Sequence, residues 1–341
     1  MNGVDRRTAL RAGAALGAAT IVASGAVGRV DAAEVLTLYN GQHAEPATAV
    51  VQAFMAATGV QVAIRKGGSA QLANQIIEEG AASPADVFFS EETAPVTTLA
   101  ARKLLAPIAA ETLRQIPAPY AANDGRWIGV TARCRVVAYD AKQVTPAELP
   151  SSVLDYATPA WKDRVAYVPT SGEFQSQALA IVKLRGRDAA IAWLKGLKDN
   201  GRIYNGNVAA VQAVQRGEIA TALVNSYYWY SVADEIGEDN MRCQLHYLGA
   251  KDPGALVTLS AAGVLASSRK PELAQRFVAF MTGAAGQQAI VGAVAEYPVR
   301  PGVVSPYKLK PLDQLDPPDL TPDDVSDAAE ALALQREAGL A

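Results

Sequence analysis

The sequence predicts an α/β protein with an open, largely parallel sheet, in a chain long enough for two domains. Strand-like and helix-like runs alternate from Val35 onward, the rhythm of strands joined by crossover helices. The length, 341 residues, exceeds what one hydrophobic core ordinarily serves. Half of the residues are hydrophobic and 19% are charged, the balance of an ordinary soluble globular protein.

Residues 35–39 form an extended run of β-favouring residues, followed by the polar turn Asn40-Gly41-Gln42-His43. Glu45 and Pro46 suit the first turn of a helix, whose apolar face is Val50, Ala53, Phe54 and Ala57 and whose stop is Gly59. A second strand covers residues 60–64. Ser69 is a suitable N-cap for the next helix, with Leu72 and Ile76 four apart on one face. A third strand, residues 85–89, leaves into Ser90-Glu91-Glu92-Thr93. The largely apolar runs 128–130 and 135–139, the second opening on Arg135, carry the chain into a second domain.

There, strand 165–168 runs into Pro169-Thr170-Ser171-Gly172-Glu173-Phe174. Thr-Ser-Gly at a helix start suits anion binding by backbone N–H groups, or a simple cap. Residues 189–197 are helical in pattern, 203–204 make a short strand, and Asn207 caps a helix running through Val211 and Val214 to Gly217. Strand 221–224 delivers Asn225-Ser226-Tyr227-Tyr228-Trp229-Tyr230, and a helical piece runs on to Gly237. His246 alternates within strand 244–248 and has a structural role. Asp252-Pro253-Gly254 turns the chain, and residues 257–265 return it to the first domain. An amphipathic helix over 271–286 turns Phe277, Phe280 and Met281 inward. The tail from Pro311 is rich in Pro and Asp, and a last helix spans 324–340.

The chemistry concentrates at strand ends, where open α/β sheets bind ligands. Neighbouring helix residues do not share a face, so a packing stripe does not ask for Tyr227 beside Tyr228. At a strand-to-helix junction both phenols can aim at one point. Ionising one phenol at pH 7 costs roughly 4 kcal/mol, and two cost about twice that. A strongly charged partner offsets such a sum, and hard oxygen donors select a hard cation, with ferric ion the natural candidate. An aromatic cluster at a domain face is the competing reading of the same hexapeptide. His43 and Glu91 both fall just past strand ends, and His43 is one of two histidines in the chain.

Composition narrows the alternatives. A net charge of −3 gives no basic footprint for nucleic acid. Cys134 and Cys243 are too few for a disulfide scaffold or a thiolate zinc site, and are either one bridge or two buried thiols. Arg6-Arg7, an Ala- and Gly-rich run over 12–27 and Val30-Asp31-Ala32 make residues 1–32 a signal peptide of the twin-arginine type, removed after Ala32, which sends the protein to the periplasm.

Several stretches, in one order along the mature chain, resemble the periplasmic ferric-ion-binding proteins, the bacterial transferrins that serve ABC iron importers. They are Tyr39-Asn40-Gly41-Gln42-His43, Pro84-Ala85-Asp86-Val87-Phe88, Arg133-Cys134-Arg135-Val136-Val137, Thr170-Ser171-Gly172, residues 225–230, Asp252-Pro253-Gly254-Ala255-Leu256 and Glu296-Tyr297-Pro298. The resemblance implies a two-lobed type II periplasmic binding protein, each lobe a mostly parallel sheet flanked by helices, joined by crossover strands. The expected division is 33–135 with 258–305, and 136–257 with 306–341. The resemblance further implies Fe³⁺ held by His43, Glu91, Tyr227 and Tyr228, completed by a synergistic anion (phosphate or carbonate) and a water. The anion positions correspond to Ser171, Gly172, Asn207, Asn225, Glu92 and Arg135. The implied partner is the membrane permease of an ABC transporter, the implied state a monomer, and the implied activity is not enzymatic.

Two residues depart from the family pattern: Glu92 stands where Gln is usual, and Glu173 where a small residue is usual. Both put carboxylates near the anion pocket, with Arg133 or Arg135 as partial offsets. The expectation is that the anion is not phosphate, or that Glu92 itself takes a coordination position. A binding protein of this architecture for a polyamine, a phosphorylated solute or an iron chelate is the nearest rival. For an exported enzyme there is no Gly-x-Ser-x-Gly elbow, no His-Glu-x-x-His and no dinucleotide fingerprint.

Overall fold

The structure, a computed structural model, describes residues 35–341; the signal segment expected over 1–32 lies outside the described residues. The first strands and helices are β1 (Val35–Asn40), α1 (Ala44–Thr58), β2 (Gln61–Lys66), α2 (Ser69–Glu79), β3 (Val87–Ser90) and α3 (Thr93–Ala101). Short β4 (Leu105–Ala106) and α4 (Ala110–Leu113) lead to the long β5 (Ile128–Asp140). Then come β6 (Val165–Tyr167), α5 (Gly172–Arg185), α6 (Arg187–Asn200), β7 (Arg202–Ile203), α7 (Asn207–Arg216), β8 (Thr221–Asn225), α8 (Ser226–Ile236) and β9 (Cys243–His246). The chain closes with β10 (Val257–Leu265), α9 (Pro271–Thr282), α10 (Ala284–Ala293), β11 (Tyr297–Pro298) and α11 (Ala328–Ala338).

The strands follow one path, β2-β1-β3-β10-β5-β8-β6-β7, with β4, β9 and β11 paired to its side. The parallel ladders expected from the alternating rhythm lie toward the two ends of this path, β2-β1-β3 and β7-β6-β8. The long middle strands β5 and β10 run antiparallel to their neighbours. β5 changes partners half-way: Cys134 is opposite Val257 of β10, and the next residue, Arg135, is opposite Asn225 of β8. One strand therefore serves both halves of the molecule.

One hydrophobic cluster runs along β5 and joins the two halves, from Leu36 and Phe54 to Val211 and Val224. Phe54 of α1 stacks edge-on against Phe277 and Phe280 of α9, with centroids 4.9 and 5.4 Å apart. Phe174 of α5 sits between Tyr167 and Trp193, at 5.5 and 5.1 Å. Burying a Phe of this kind contributes about 1.5–3 kcal/mol. Cys134 and Cys243 are buried thiols without a bridge, and His246 sits in β9 opposite Val137 as an element of the sheet. Among the described residues no helix is long and apolar enough to cross a membrane.

Four local expectations change. The helix expected over 271–286 is two helices, because Gly283 turns to an extended conformation (ψ 163°) between α9 and α10. The last helix starts at Ala328 rather than 324, capped by the Asp327 carboxylate, after a 3₁₀ turn at Pro322–Val325. Ser69 does not cap α2: Gly68 holds the cap position and Ser69 is the first helical residue. Asn207 likewise opens α7 after Gly206 in the cap position. In both cases the side chain bonds a distant segment instead, Ser69 Oγ the Gly41 carbonyl and Asn207 Nδ2 the Glu173 carboxylate.

Candidate metal centre

His43 immediately precedes α1, and the loop that carries it is pinned by its own polar groups. Asn40 Nδ2 donates to the Gln42 carbonyl at 2.7 Å, and the His43 N–H donates to Gln42 Oε1 at 2.9 Å. Gly41 is required here by close approach, since a Cβ on it would lie 2.5 Å from Ser69 Oγ and 2.6 Å from Ser69 Cα. Ser69 Oγ donates to the Gly41 carbonyl at 3.1 Å and accepts the Glu91 N–H at 2.9 Å. One hydroxyl thus joins the loop of His43 to the loop of Glu91, which leaves β3. From the other half, β8 ends at Asn225, and Tyr227 and Tyr228 fall in the first turn of α8. Both tyrosines are buried, with ring centroids 4.1 Å apart.

Three donor atoms from three elements meet. His43 Nε2 lies 3.1 Å from Glu91 Oε1 and 3.2 Å from the Tyr227 hydroxyl, which donates to Glu91 Oε1 at 3.1 Å. The triangle is nearly equilateral. An octahedron whose face has edges of 3.1–3.2 Å has centre-to-corner bonds of about 2.2 Å, the edge divided by √2, close to the ~2.0–2.1 Å of a small hard cation. Tyr228 packs beside this face, its ring centroid 6.0 Å from that of His43.

The electrostatics separate the groups. Burial resists ionisation of Glu91, but the His43 hydrogen bond and the Arg133 charge outweigh it and hold the carboxyl at about 2. Burial also pushes His43 down, yet Glu91 reverses the sign and leaves the imidazole above its ordinary value. Burial drives both phenols well above 10, with Tyr228, Glu91 and Glu173 adding to the effect on Tyr227, and Glu173 and Glu91 to that on Tyr228. With no cation these tyrosines are neutral. Glu92 goes the other way: burial first, then the charges of Glu91 and Glu173, push it up to about 8. Burial and Glu91 also raise Glu173.

The residues predicted for an anion come together as well. Ser171 and Gly172, at the start of α5, line a cavity of about 360 Å³ with Glu91, Glu92, Glu173 and Tyr228. Asn207 Nδ2 donates to Glu173 Oε1 at 2.7 Å. Arg135, fully within the protein, donates to Asn225 Oδ1 at 3.3 Å and to Gln177 Oε1 and the Leu223 carbonyl at 3.0 Å. Arg135 Nε, Asn225 Nδ2 and Asn207 Oδ1 are buried without a partner. The Ser171 hydroxyl is spent locally, donating to the Val168 carbonyl at 3.0 Å. Glu91, Glu92 and Glu173 each bring one oxygen within 4.8 Å of the other two.

Sequence reasoning underrated Arg133 and missed Glu296. Arg133 Nη1 lies 3.4 Å from Glu91 Oε1, its Nε lies 3.6 Å from Glu296 Oε1, and its guanidinium carbon is 5.7 Å from the Tyr227 ring centre. Glu296 is wholly buried and is also reached by the Thr131 hydroxyl. A usable signal existed: Arg133 and Arg135, two apart in an apolar strand, share one face of it.

Comparison with known proteins identifies the family and the fold. Residues 49–315 match the family described as bacterial extracellular solute-binding protein. The major ferric iron-binding protein of Neisseria meningitidis serogroup B is 45% identical over 307 residues, covering 89% of this chain and 93% of that protein. The chain is a member of the bacterial extracellular solute-binding protein family. This solute-binding protein is also 37% identical to the Fe(3+)-binding periplasmic protein of Serratia marcescens over 306 residues, 89% of this chain and 90% of that one. The crystal structure of iron-bound HitA from Pseudomonas aeruginosa superimposes with a TM-score of 0.87 at 51% identity, over 90% of this chain and 99% of that one. The family expected from the sequence is thus the one found, and the fold is the two-lobed type II fold of these binding proteins. It is a fold for capturing a solute, not an enzyme.

Proposed function

We propose that this protein binds free ferric ion in the cleft between its lobes, in the periplasm, and delivers it to the permease of an ABC importer. The observation that carries the reading is the triangle of His43 Nε2, Glu91 Oε1 and the Tyr227 hydroxyl, with edges of 3.1–3.2 Å. Tyr228 supplies the fourth protein ligand, and a further anionic oxygen and a water take the remaining positions. A trivalent ion returns the cost of ionising two buried phenols, which a neutral or divalent solute does not. The functions of the similar proteins, ferric-binding in name, support the same solute.

The same reading takes the lobes to divide near residues 135–136 and 257–258. The exchange of β5 from β10 to β8 between Cys134 and Arg135 supports this division. Since the ligands come from both lobes, the metal favours the closed arrangement, and the permease reads that shape in a monomeric carrier. Export runs by the twin-arginine route set by Arg6 and Arg7. The test is a visible spectrum with metal analysis of protein titrated with ferric citrate. One iron per chain with a tyrosinate-to-iron band, bleached by acid as protons displace the metal, is the expected result. A protein that takes up no iron, or takes it up without colour, overturns the assignment.

A further inference from the structure

We propose that Glu92 fills, with its own carboxylate, the place in the cleft that an outside oxyanion would occupy, so that iron is held without an exogenous anion. The proposal rests on the ferric reading above and deepens it.

Glu92 already occupies the space in question. Its side chain lies across Gly172, where an added Cβ would come 2.2 Å from Glu92 Oε1 and 2.7 Å from Glu92 Cγ. Gly172 begins the 14-residue helix α5, and a helix start is where backbone N–H groups and the helix dipole favour an anion. An outside anion can settle there after Glu92 has left.

Glu92 is also within reach of the metal position. Its carboxylate, with those of Glu91 and Glu173, forms a set in which one oxygen from each lies within 4.8 Å of the other two. Oxygens on one small hard cation stand about 3 Å apart when adjacent and about 4.2 Å when opposite, so the set is close to a shared shell. Glu173 is already tied to Asn207 Nδ2 at 2.7 Å, so of the two carboxylates Glu92, which lies against Gly172, is the one that can turn onto the ion.

Charge points the same way. Fe³⁺ with two phenolates and Glu91 sums to zero, and Arg133 is shared between Glu91 and Glu296. A phosphate dianion would enter beside two further carboxylates in a buried pocket, where like charges are costly. Glu92 adds one charge from a residue already present. The buried donors without partners, Arg135 Nε and Asn225 Nδ2, give the region the polarity to tolerate it.

The experiment titrates full-length mature protein and its Glu92→Gln variant with ferric ion against a competing chelator. Each is measured in carbonate-purged, phosphate-free buffer and again with added phosphate or bicarbonate. Wild type should keep its affinity, within about threefold, and its band position in all three buffers. Glu92→Gln should lose roughly tenfold or more in anion-free buffer, as a lost metal ligand or its support does, and recover when phosphate is added. Wild type that loses affinity when anions are removed overturns the proposal. So does a Glu92→Gln protein that binds as wild type does without anions. Wild type that takes up no iron in any buffer overturns the ferric reading itself, a separate result from anion dependence.

Discussion

His43, Tyr227 and Arg133 surround Glu91, whereas its neighbour Glu92 lies against Gly172, Glu173 and Glu91 itself. The two glutamates are adjacent in the chain and both are largely withdrawn from water. Burial raises each, yet the first titrates at about 2 and the second at about 8. The difference lies in the partners: at Glu91 hydrogen-bond donors and the Arg133 charge outweigh burial, while at Glu92 two other carboxylates add to burial and outweigh Arg133 and Ser69. On the proposed reading, a single dipeptide thereby offers a metal one ionised carboxylate and a reserve carboxyl beside it.

The largest expected effect comes from removing the side of the contrast that needs a cation. Replacing both tyrosines, Tyr227→Phe with Tyr228→Phe, should abolish the visible iron band and reduce iron affinity beyond measurement in a chelator competition, while the apo protein stays folded by circular dichroism. Retained colour and affinity would break the site assignment.

Arg133→Met comes next and collapses the contrast from the Glu91 side. It leaves Glu91 and the wholly buried Glu296 without their shared cation, and breaking a buried pair in this way costs about 3–5 kcal/mol. Denaturant unfolding of the apo protein should show that loss, and iron affinity should fall by roughly 10–100-fold, as for other supports of metal ligands. An unchanged unfolding midpoint would mean that Arg133 holds neither carboxylate.

The smallest effect sharpens the Glu92 side. Its carboxyl, ordinarily near 4.5, is raised to about 8 in the folded protein. Between those values the native state keeps a proton that the unfolded chain has released. Stability of the apo protein therefore falls as pH rises from about 4.5 to about 8, because the unfolded state binds fewer protons there. Thermal melts across that range should descend in wild type and run flatter in Glu92→Gln. Parallel curves would show that Glu92 ionises freely in the folded protein.

The fold was legible in the sequence because its elements are short, strongly periodic and punctuated. Gly59 ends α1 in the left-handed conformation its position implied, and the run 257–265 matches β10. Legibility failed where tertiary contacts overrode local preference. Ser69 has the residue type of a cap, but two neighbouring loops claim its hydroxyl; Gly283 splits a helix whose apolar periodicity carries through it. The tyrosine pair and His43 stood out by rarity and by position at strand ends. Arg133 left only the weak signal of a charge inside an apolar strand, and Glu296 left none, since a carboxylate paired with a distant segment makes no local pattern.

The bridging hydroxyl of Ser69 has a kinetic corollary. Because it fastens the His43 turn to the Glu91 turn, the nitrogen and carboxylate donors form one rigid claw carried by a single lobe. Such a claw can seize a passing ion two-handed before the phenols arrive, leaving closure to govern how long the ion stays. Ser69→Ala should then slow iron capture in stopped flow more than it hastens release, and the opposite partition would mean that the tyrosine lobe makes first contact.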